Sequence, residues 1–321
     1  MPSARDTTLA SLGETRLIQA IQDWLGAANP PAPHGIGDDC AVLPRRHARQ
    51  LVTVDPVIAG RHFDDRVPPA AAAAKLLKRN LSDIASMGGR PHSAVIALAA
   101  PPTMAVSWLR AFYRGLAACA RTYDVHIVGG DCAQTDGPFS AFLTLFGDAP
   151  ARPLTRTGAR AGDLLFVTGS LGGSILGKHT SFRPRLEEGR WLATHRAVHA
   201  AIDLSDGLGK DLAALVPDGC EAVIDPRALP LSAAARRLAR SSHRDPLDCA
   251  LNDGEDYELL FAVAARGVED FIVAWHRALA TPLSCIGRIL RNRSDEPTGR
   301  ALRFEPALPA GVLTQGYEHF R

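Results

Sequence analysis

The sequence predicts an α+β fold in two domains, and three observations carry that expectation. Apolar residues make up 46% of the 321 positions and the formal net charge is +2, so a sizeable core is available and global disorder is not expected. The first half sets apolar runs and amphipathic stretches in the order strand, helix, helix, strand, strand, which is not the regular wind of a βαβ protein. Pro150 to Pro153 then marks a break in composition and a candidate boundary, giving domains 1–150 and 151–321.

Ser11 and Glu14 have capping-box spacing ahead of Leu17, Ile18, Ile21, Trp24 and Leu25, which recur at helical intervals. Prolines between Ala28 and Pro33 interrupt the chain. Gly35-Ile36-Gly37-Asp38-Asp39 follows, two adjacent carboxylates on a glycine hinge before an apolar segment. Gln50 to Val54 reads as a buried strand with Asp55 at its C-terminal end. Pro68-Pro69 opens a helix that runs to about Met87, proline being favoured in the first turn, and Gly88-Gly89 ends it. Leu77, Leu81 and Ile84 form its apolar stripe, and Asn80 and Asp83 lie beside that stripe. Alone, Asp83 reads more simply as a solvated helix carboxylate. A second amphipathic helix over about Val106 to Thr122 puts Leu109, Phe112, Leu116 and Cys119 on one face. Tyr113 borders that face, where a plain core role is the simpler reading. Val125 to Val128 is a strand running into Gly129-Gly130-Asp131, and Ser140 to Phe146 alternates as another.

In the second half, Leu164 to Thr168 is a strand followed by a glycine-rich turn. Gly172 to Lys178 fits G-x-x-x-x-G-K, but His179 stands where a phosphate-binding loop needs Ser or Thr for Mg²⁺. A turn packing close to a helix is the better reading. Phe182-Arg183-Pro184-Arg185 reads as a surface loop. Ala200 to Ile202 starts a strand that delivers Asp203, and Asp206-Gly207 opens a helix through Leu208, Leu212 and Leu215. Acids at a helix start are also ordinary capping. Ala222 to Ile224 and Leu259 to Val263 are further strands. Turn chemistry accounts for Asp253-Gly254, but Glu255 and Asp256 enter a strand with no basic partner nearby in sequence. Tyr317 and Phe320 close the chain, where an aromatic is more often a tail anchor than a ligand platform.

The balanced charge of +2 leaves no basic footprint for nucleic acid and no polybasic membrane patch. The most apolar stretch, Ser93 to Leu109, is interrupted by Pro101 and Pro102 and is too short to span a bilayer. Met1 to Leu12 lacks an apolar signal core. Six cysteines lie scattered with no Cys-x-x-Cys pair, which suggests neither a zinc ribbon nor a disulfide framework. The expectation is a reduced, cytoplasmic setting with no nucleic-acid or membrane partner.

The chemistry is carried by acids. Besides Asp38-Asp39, aspartates fall at Asp55, Asp83, Asp131, Asp203 and Asp206, at strand ends or helix edges. Like charges gather only around a counter-charge, and several Asp oxygens together suit a hard cation such as Mg²⁺, which often brings phosphate. A magnesium-nucleotide site built from scattered aspartates is the expectation.

Taken in order, GIGDDCAVL (35–43), NLSDIASMGGRP (80–91), VGGD (128–131), TRTGARAGDLLFVTG (155–169), AIDLSDGL (201–208), GEDYELLF (254–261) and GYEHF (316–320) resemble the thiamine-monophosphate kinase family. That family belongs with aminoimidazole ribonucleotide synthetase and selenophosphate synthetase. The resemblance implies a two-domain fold of the aminoimidazole ribonucleotide synthetase type. Its N-terminal domain would dimerise through a β-sheet, and its C-terminal domain would be an α/β sandwich. It implies transfer of a phosphoryl group from ATP to thiamine monophosphate in a homodimer. Carried over by position, Mg²⁺ would be held by Asp38, Asp55, Asp83, Asp131, Asp203 and Asp206. ATP would meet Thr53, Tyr113, Gly130, Arg156 and Ser205, and thiamine monophosphate would meet His62, Glu255 and Tyr317. No catalytic side chain is implied, because the acceptor is itself a phosphate with a second pKa of about 6 and is already nucleophilic at neutral pH. The chain departs from the family pattern at Ala59, where the family carries an acid, and in the longer loop Cys132 to Asp136, which lacks the family's Arg. That phosphate contact is either lost or supplied by Arg61. Two alternatives remain open at this point: another ATP-using member of the superfamily, or a nucleotide-binding homologue without turnover.

Overall fold

The computed structural model describes residues 7–32, 34–37, 40–292 and 301–317. Asp38 and Asp39, and with them one expected metal ligand, lie outside the described residues. The chain divides into two compact units, one of Met1–Ile84 and Arg90–Ala149, the other of Ala85–Gly89 and Pro150–Arg321.

The first unit begins with α1 (Leu9–Leu12) and α2 (Glu14–Leu25). The capping box falls one turn earlier than expected, on Thr8 and Ser11, because Gly13 breaks the helix and starts α2 with no side-chain cap. Strand β1 (Gln50–Ile58) leads into α3 (Pro69–Ser86), β2 (Arg90–Ala100), α4 (Val106–Thr122), β3 (His126–Gln134) and β4 (Ser140–Asp148). The four strands form one sheet in the order β1-β4-β2-β3. β4 runs antiparallel to both β1 and β2, and β2 runs parallel to β3.

Strand β2 was not among the expected elements. It is paired on both edges and buried over most of its length, so its sequence is a continuous apolar run without the alternation that marks a half-exposed strand. β1 also differs from expectation. It is an edge strand rather than a buried one, with Val52 at 65% and Val54 at 61% exposure, and Asp55 lies within it rather than at its end. The register pairs Val52 with Phe146 and Pro56 with Phe142, so Val52, Val54 and the 43%-exposed Phe142 share one open face. Leu143, Leu145, Ile96 and Ala94 face the other way and are buried on the side of α3 and α4. Trp108 and Phe112 of α4 pack there with Phe63 and Phe139, and α4 closes on α3 at Gly115, where a Cβ would meet Ala70.

The second unit is built on a mixed six-stranded sheet. Its strands are β5 (Leu164–Thr168), β6 (Val198–Asp203), β7 (Cys220–Ile224), β8 (Leu259–Val263), β9 (Leu283–Arg291) and β10 (Ala301–Phe304), in the order β10-β7-β9-β5-β8-β6. Its helices are α5 (Lys178–Ser181), α6 (Leu186–Thr194), α7 (Leu208–Leu215), α8 (Ala233–Ser242), α9 (Pro246–Asn252) and α10 (Val268–Ala278). Alternation along the strands feeds two cores. Leu165, Val167, Ile202 and Leu260 pack with Leu208, Leu212 and Leu215 of α7. Phe166, Phe261 and Val263 pack with Leu192 of α6 and with Phe271 and Trp275 of α10. Helices thus cover both faces, the sandwich that the family resemblance implied. No helix among the described residues is long and apolar enough to cross a membrane.

Candidate active site

In the first unit three of the side chains expected to meet metal or ATP, Thr53, Asp55 and Asp83, stand where β1 meets α3. Thr53 and Asp55 are two apart on a strand and therefore share a face, while Arg79 and Asp83 are four apart on a helix and share a stripe. The two pairs interlock. Thr53 Oγ1 donates to Asp83 Oδ2, and Arg79 Nη2 donates to Asp55 Oδ1 at 3.0 Å. Asp83 is thereby drawn to the sheet instead of lying out in solvent. Arg79 Nη1 also donates to the carbonyl of Pro56 at 2.8 Å. His62, at the turn after β1, accepts the Ile58 N–H on Nδ1 at 3.1 Å, which puts the neutral ring's proton on Nε2. The fully buried Lys75 donates to the carbonyl of His62 at 2.7 Å and fixes that turn.

At the other edge of the sheet, β3 borders a cleft of about 550 Å³. Tyr113, Gly130, Asp131 and Cys132 line it, with Glu14, Ile18 and Ile21 of α2 opposite. Gly130 approaches β2 so closely that a Cβ would sit 2.0 Å from the carbonyl of Ile96. Tyr113 is buried, and burial holds its phenol well above the ordinary range, so it is a neutral wall. Burial likewise pushes the Cys132 thiol up to about 11. Asp131 does not join Asp55 and Asp83. Asp55 lies in register with Leu143, Ile96 and Gly130, three strand spacings apart, or roughly 14 Å. Among the described residues, no three His, Cys, Asp or Glu side chains stand close enough together to hold one ion.

The second unit assembles residues far apart in sequence. The loop after β6 carries Leu204, Ser205 and Asp206, and the segment before β8 docks on it. Glu255 N–H donates to Ser205 O and Tyr257 N–H to Leu204 O, both at 2.8 Å. Tyr317 N–H donates to Asp206 O at 2.7 Å, so the tail closes on the same loop. Asn252 holds that tail by accepting from Gln315 and Gly316 and donating to Leu313 O. The contacts demand unusual backbone. Gly254 has φ +70°, and a Cβ there would meet Ser205 O at 2.7 Å. Glu255 and Tyr257 themselves lie at φ 56° and 49°. Such conformations are costly for bulky residues and persist where surrounding contacts enforce them, often at functional sites. Lys210 Nζ bridges Asp206 Oδ2 at 2.8 Å and Tyr317 O at 2.9 Å.

Asp206 does not cap α7, whose first residue is preceded by Gly207. Asp211 reaches back instead and accepts the N–H groups of Ser205 and Asp206 at 3.0 Å each. Burial raises its carboxyl to about 7, while those two N–H donors and the nearby Arg156 favour its charge. Asp203 ends β6 in register with Leu259 and is buried. The structure therefore gathers Ser205, Asp206, Glu255 and Tyr317 around one loop, with Arg156 close by.

Behind that loop lies an ionic network missed from sequence. Glu258, 1% exposed at its side chain, receives Arg185 through Nε at 2.7 Å and Nη2 at 2.9 Å, Lys178 Nζ at 2.8 Å and Thr168 Oγ1 at 2.8 Å. Both oxygens of Asp256 lie 2.9 Å from Gly172 N, and burial pushes its carboxyl up to about 7. Asp256 and Glu258 thus have basic partners, brought from the glycine-rich turn and from Arg185. The expectation of a surface loop at Phe182 to Arg185 fails for the same reason. Arg185 turns inward to Glu258, and Phe182 stacks on Tyr257 at 3.9 Å. The only local signal was charge. Two acids entering an apolar strand require cations from elsewhere, but spacing does not say which.

The class of protein follows from this fold. Residues 37–149 match the family of AIR synthase related proteins, N-terminal domain. The crystal structure of a thiamine-monophosphate kinase from Stenotrophomonas maltophilia K279a superposes with a TM-score of 0.75 at 32% identity, covering 88% of this chain and 95% of that one. A structure of AaThiL complexed with AMPPCP and TMP gives 0.71 at 27% identity, covering 96% and 97%. The thiamine-monophosphate kinase of Rhodopirellula baltica is 37% identical over 294 residues, 88% of this chain and 92% of that protein. The chain belongs to the thiamine-monophosphate kinase family.

Proposed function

We propose that this protein transfers the γ-phosphoryl group of ATP to thiamine monophosphate, giving ADP and thiamine diphosphate, in the cytoplasm. The observation that carries the reading is the closure of Glu255 and Tyr317 onto Ser205 and Asp206, which turns three separate sequence blocks into one surface, the one proposed to face the acceptor. Full-length similarity to relatives named for this activity supports it.

The donor set fits a hard cation. Asp55, Asp83 and Thr53 offer only oxygen, on one seam, which is the ligand type that Mg²⁺ takes. Asp55 and Asp83 are proposed to hold one Mg²⁺, and Asp131 in the first unit, Asp203 and Asp206 in the second, and Asp38 are proposed as ligands of further Mg²⁺ ions. When bound, Mg²⁺ supplies neutralisation of phosphate charge and a template for in-line displacement. The side chains do the positioning. Tyr113 and Gly130 form the wall of a cleft of about 550 Å³, which has room for a nucleoside. Ser205 and Arg156 donate to phosphate oxygens, and Thr53, whose single hydroxyl hydrogen goes to Asp83, turns it toward phosphate when ATP binds. Glu255 accepts from an aminopyrimidine, His62 donates from Nε2, and the 46%-exposed Tyr317 offers an aromatic face to a cationic thiazolium. The first unit is proposed to bind ATP and Mg²⁺ and to dimerise, and the second is proposed to contribute nucleotide and acceptor contacts.

The open face of Val52, Val54 and Phe142 is the surface proposed to pair two protomers. The decisive assay incubates purified protein with ATP, MgCl₂ and thiamine monophosphate and separates the products by chromatography. Thiamine diphosphate is expected, with none formed from free thiamine. ADP release with another acceptor from a substrate panel, or nucleotide binding without ADP, would replace this reading. Light scattering is expected to show a dimer that Val54→Lys converts to monomer.

A further inference from the structure

One oxygen of Asp55 is already taken by a cation of the chain itself. Arg79 Nη2 lies 3.0 Å from Asp55 Oδ1, and the guanidinium is anchored by a second bond of 2.8 Å to Pro56 O. The two side chains keep 12% and 23% exposure, so the pair is partly shielded yet reachable from water. A guanidinium does not deprotonate at accessible pH, so this charge is permanent. It sits one helical turn before Asp83, whose carboxylate is held by Thr53 on the neighbouring strand position. A divalent ion arriving at Asp55 therefore meets a fixed positive charge and must displace it from Oδ1 or bind beside it.

Resting on the reading of Asp55 as a metal ligand, we propose that Arg79 is a resident counter-cation that competes with divalent metal for Asp55. Without metal it neutralises and orients the carboxylate. Metal alone is bound weakly at this position. A polyphosphate arriving with the metal gives the displaced guanidinium a new, bidentate partner, so that metal and nucleotide load together rather than in sequence. Arg79 is in this sense a positioning residue, and its effect is read from metal binding rather than from turnover.

The test titrates Mn²⁺ into the full chain without nucleotide and follows the free-ion signal by electron paramagnetic resonance. Arg79→Met keeps the apolar stem and removes the charge. It is expected to bind Mn²⁺ roughly ten-fold more tightly than wild type, from removal of a single like charge a few ångströms away. Arg79→Lys should stay close to wild type, and Asp55→Asn combined with Arg79→Met should lose the gain. A larger rise in Tm on adding MgCl₂ to Arg79→Met than to wild type is the second readout. Arg79→Gln carries the same test if the methionine variant does not fold. Unchanged or weaker Mn²⁺ binding by the charge-removed variant overturns the role of Arg79, as does a gain that survives loss of Asp55. In those cases Mn²⁺ binding by wild type still supports the metal site, whereas no Mn²⁺ bound by either protein overturns both.

Discussion

Each unit holds a carboxylate with an arginine, and the two pairs differ in kind. In the second unit Arg185 meets Glu258 through two nitrogens, with Lys178 and Thr168 completing the shell, and the carboxylate side chain is 1% exposed. In the first, Arg79 meets Asp55 through one nitrogen and the carboxylate keeps 23% exposure. A buried charge with every lone pair occupied is a structural fastener, because removing one partner strands the others in low dielectric. A half-open charge keeps part of its surface toward water, where another cation can approach it. The difference separates the acids that hold the second unit's fold from those available for chemistry.

Breaking the closed pair should have the largest effect. Glu258→Gln, which leaves Arg185 and Lys178 without their carboxylate, is expected to cost about 3–5 kcal/mol in urea unfolding of the second unit. A loss below about 1 kcal/mol would show that the network is not a fastener. The open pair should behave in the opposite way. Asp55→Asn is expected to change stability by no more than about 1 kcal/mol, while lowering kcat/KM more than ~100-fold, beyond the usual cost of losing an outer-shell partner. Equal losses in folding and turnover would erase the contrast.

A third prediction sharpens the closed side through pH. Burial raises the Asp256 carboxyl to about 7, with Lys178 opposing the shift and Glu258 and Asp253 adding to it. The unfolded chain releases this proton near the usual Asp value of 3.8, whereas the folded chain retains it to about 7. The associated stability is complete below the lower value and is lost as pH rises through the higher one. Melting temperature should therefore fall between pH 5 and pH 8 through this group, and Asp256→Asn should flatten that slope. An identical slope in the variant would remove Asp256 as its source. The smallest effect belongs to the seam. Thr53→Ala deletes the hydroxyl that Asp83 accepts and should cost about 1 kcal/mol, measured by differential scanning of the first unit.

Elements whose residues interact within themselves were legible. The helix over Val106–Thr122 and the strands Leu164–Thr168 and Leu259–Val263 lie where periodicity puts them. β2 escaped because pairing on both edges removes alternation, and β1 was mistaken for a buried strand because Val52 and Val54 are apolar yet exposed. The family blocks singled out Ser205, Asp206, Glu255 and Tyr317, which the structure brings together around one loop. They did not identify what holds those residues. Asp211, Asn252 and Lys210 act through backbone groups or across more than a hundred positions, and no local pattern encodes that.

The sequence by itself determined the secondary elements with clear periodicity, the kinds of ligand atom on offer and the family, since each is written in neighbouring residues or in their order. Only the tertiary structure decided which charges meet. Arg79 with Asp55 and Arg185 with Glu258 are both contacts between segments brought together by packing. Their strength and openness depend on how much water the surrounding core excludes, which is a property of the folded volume and not of any stretch of chain.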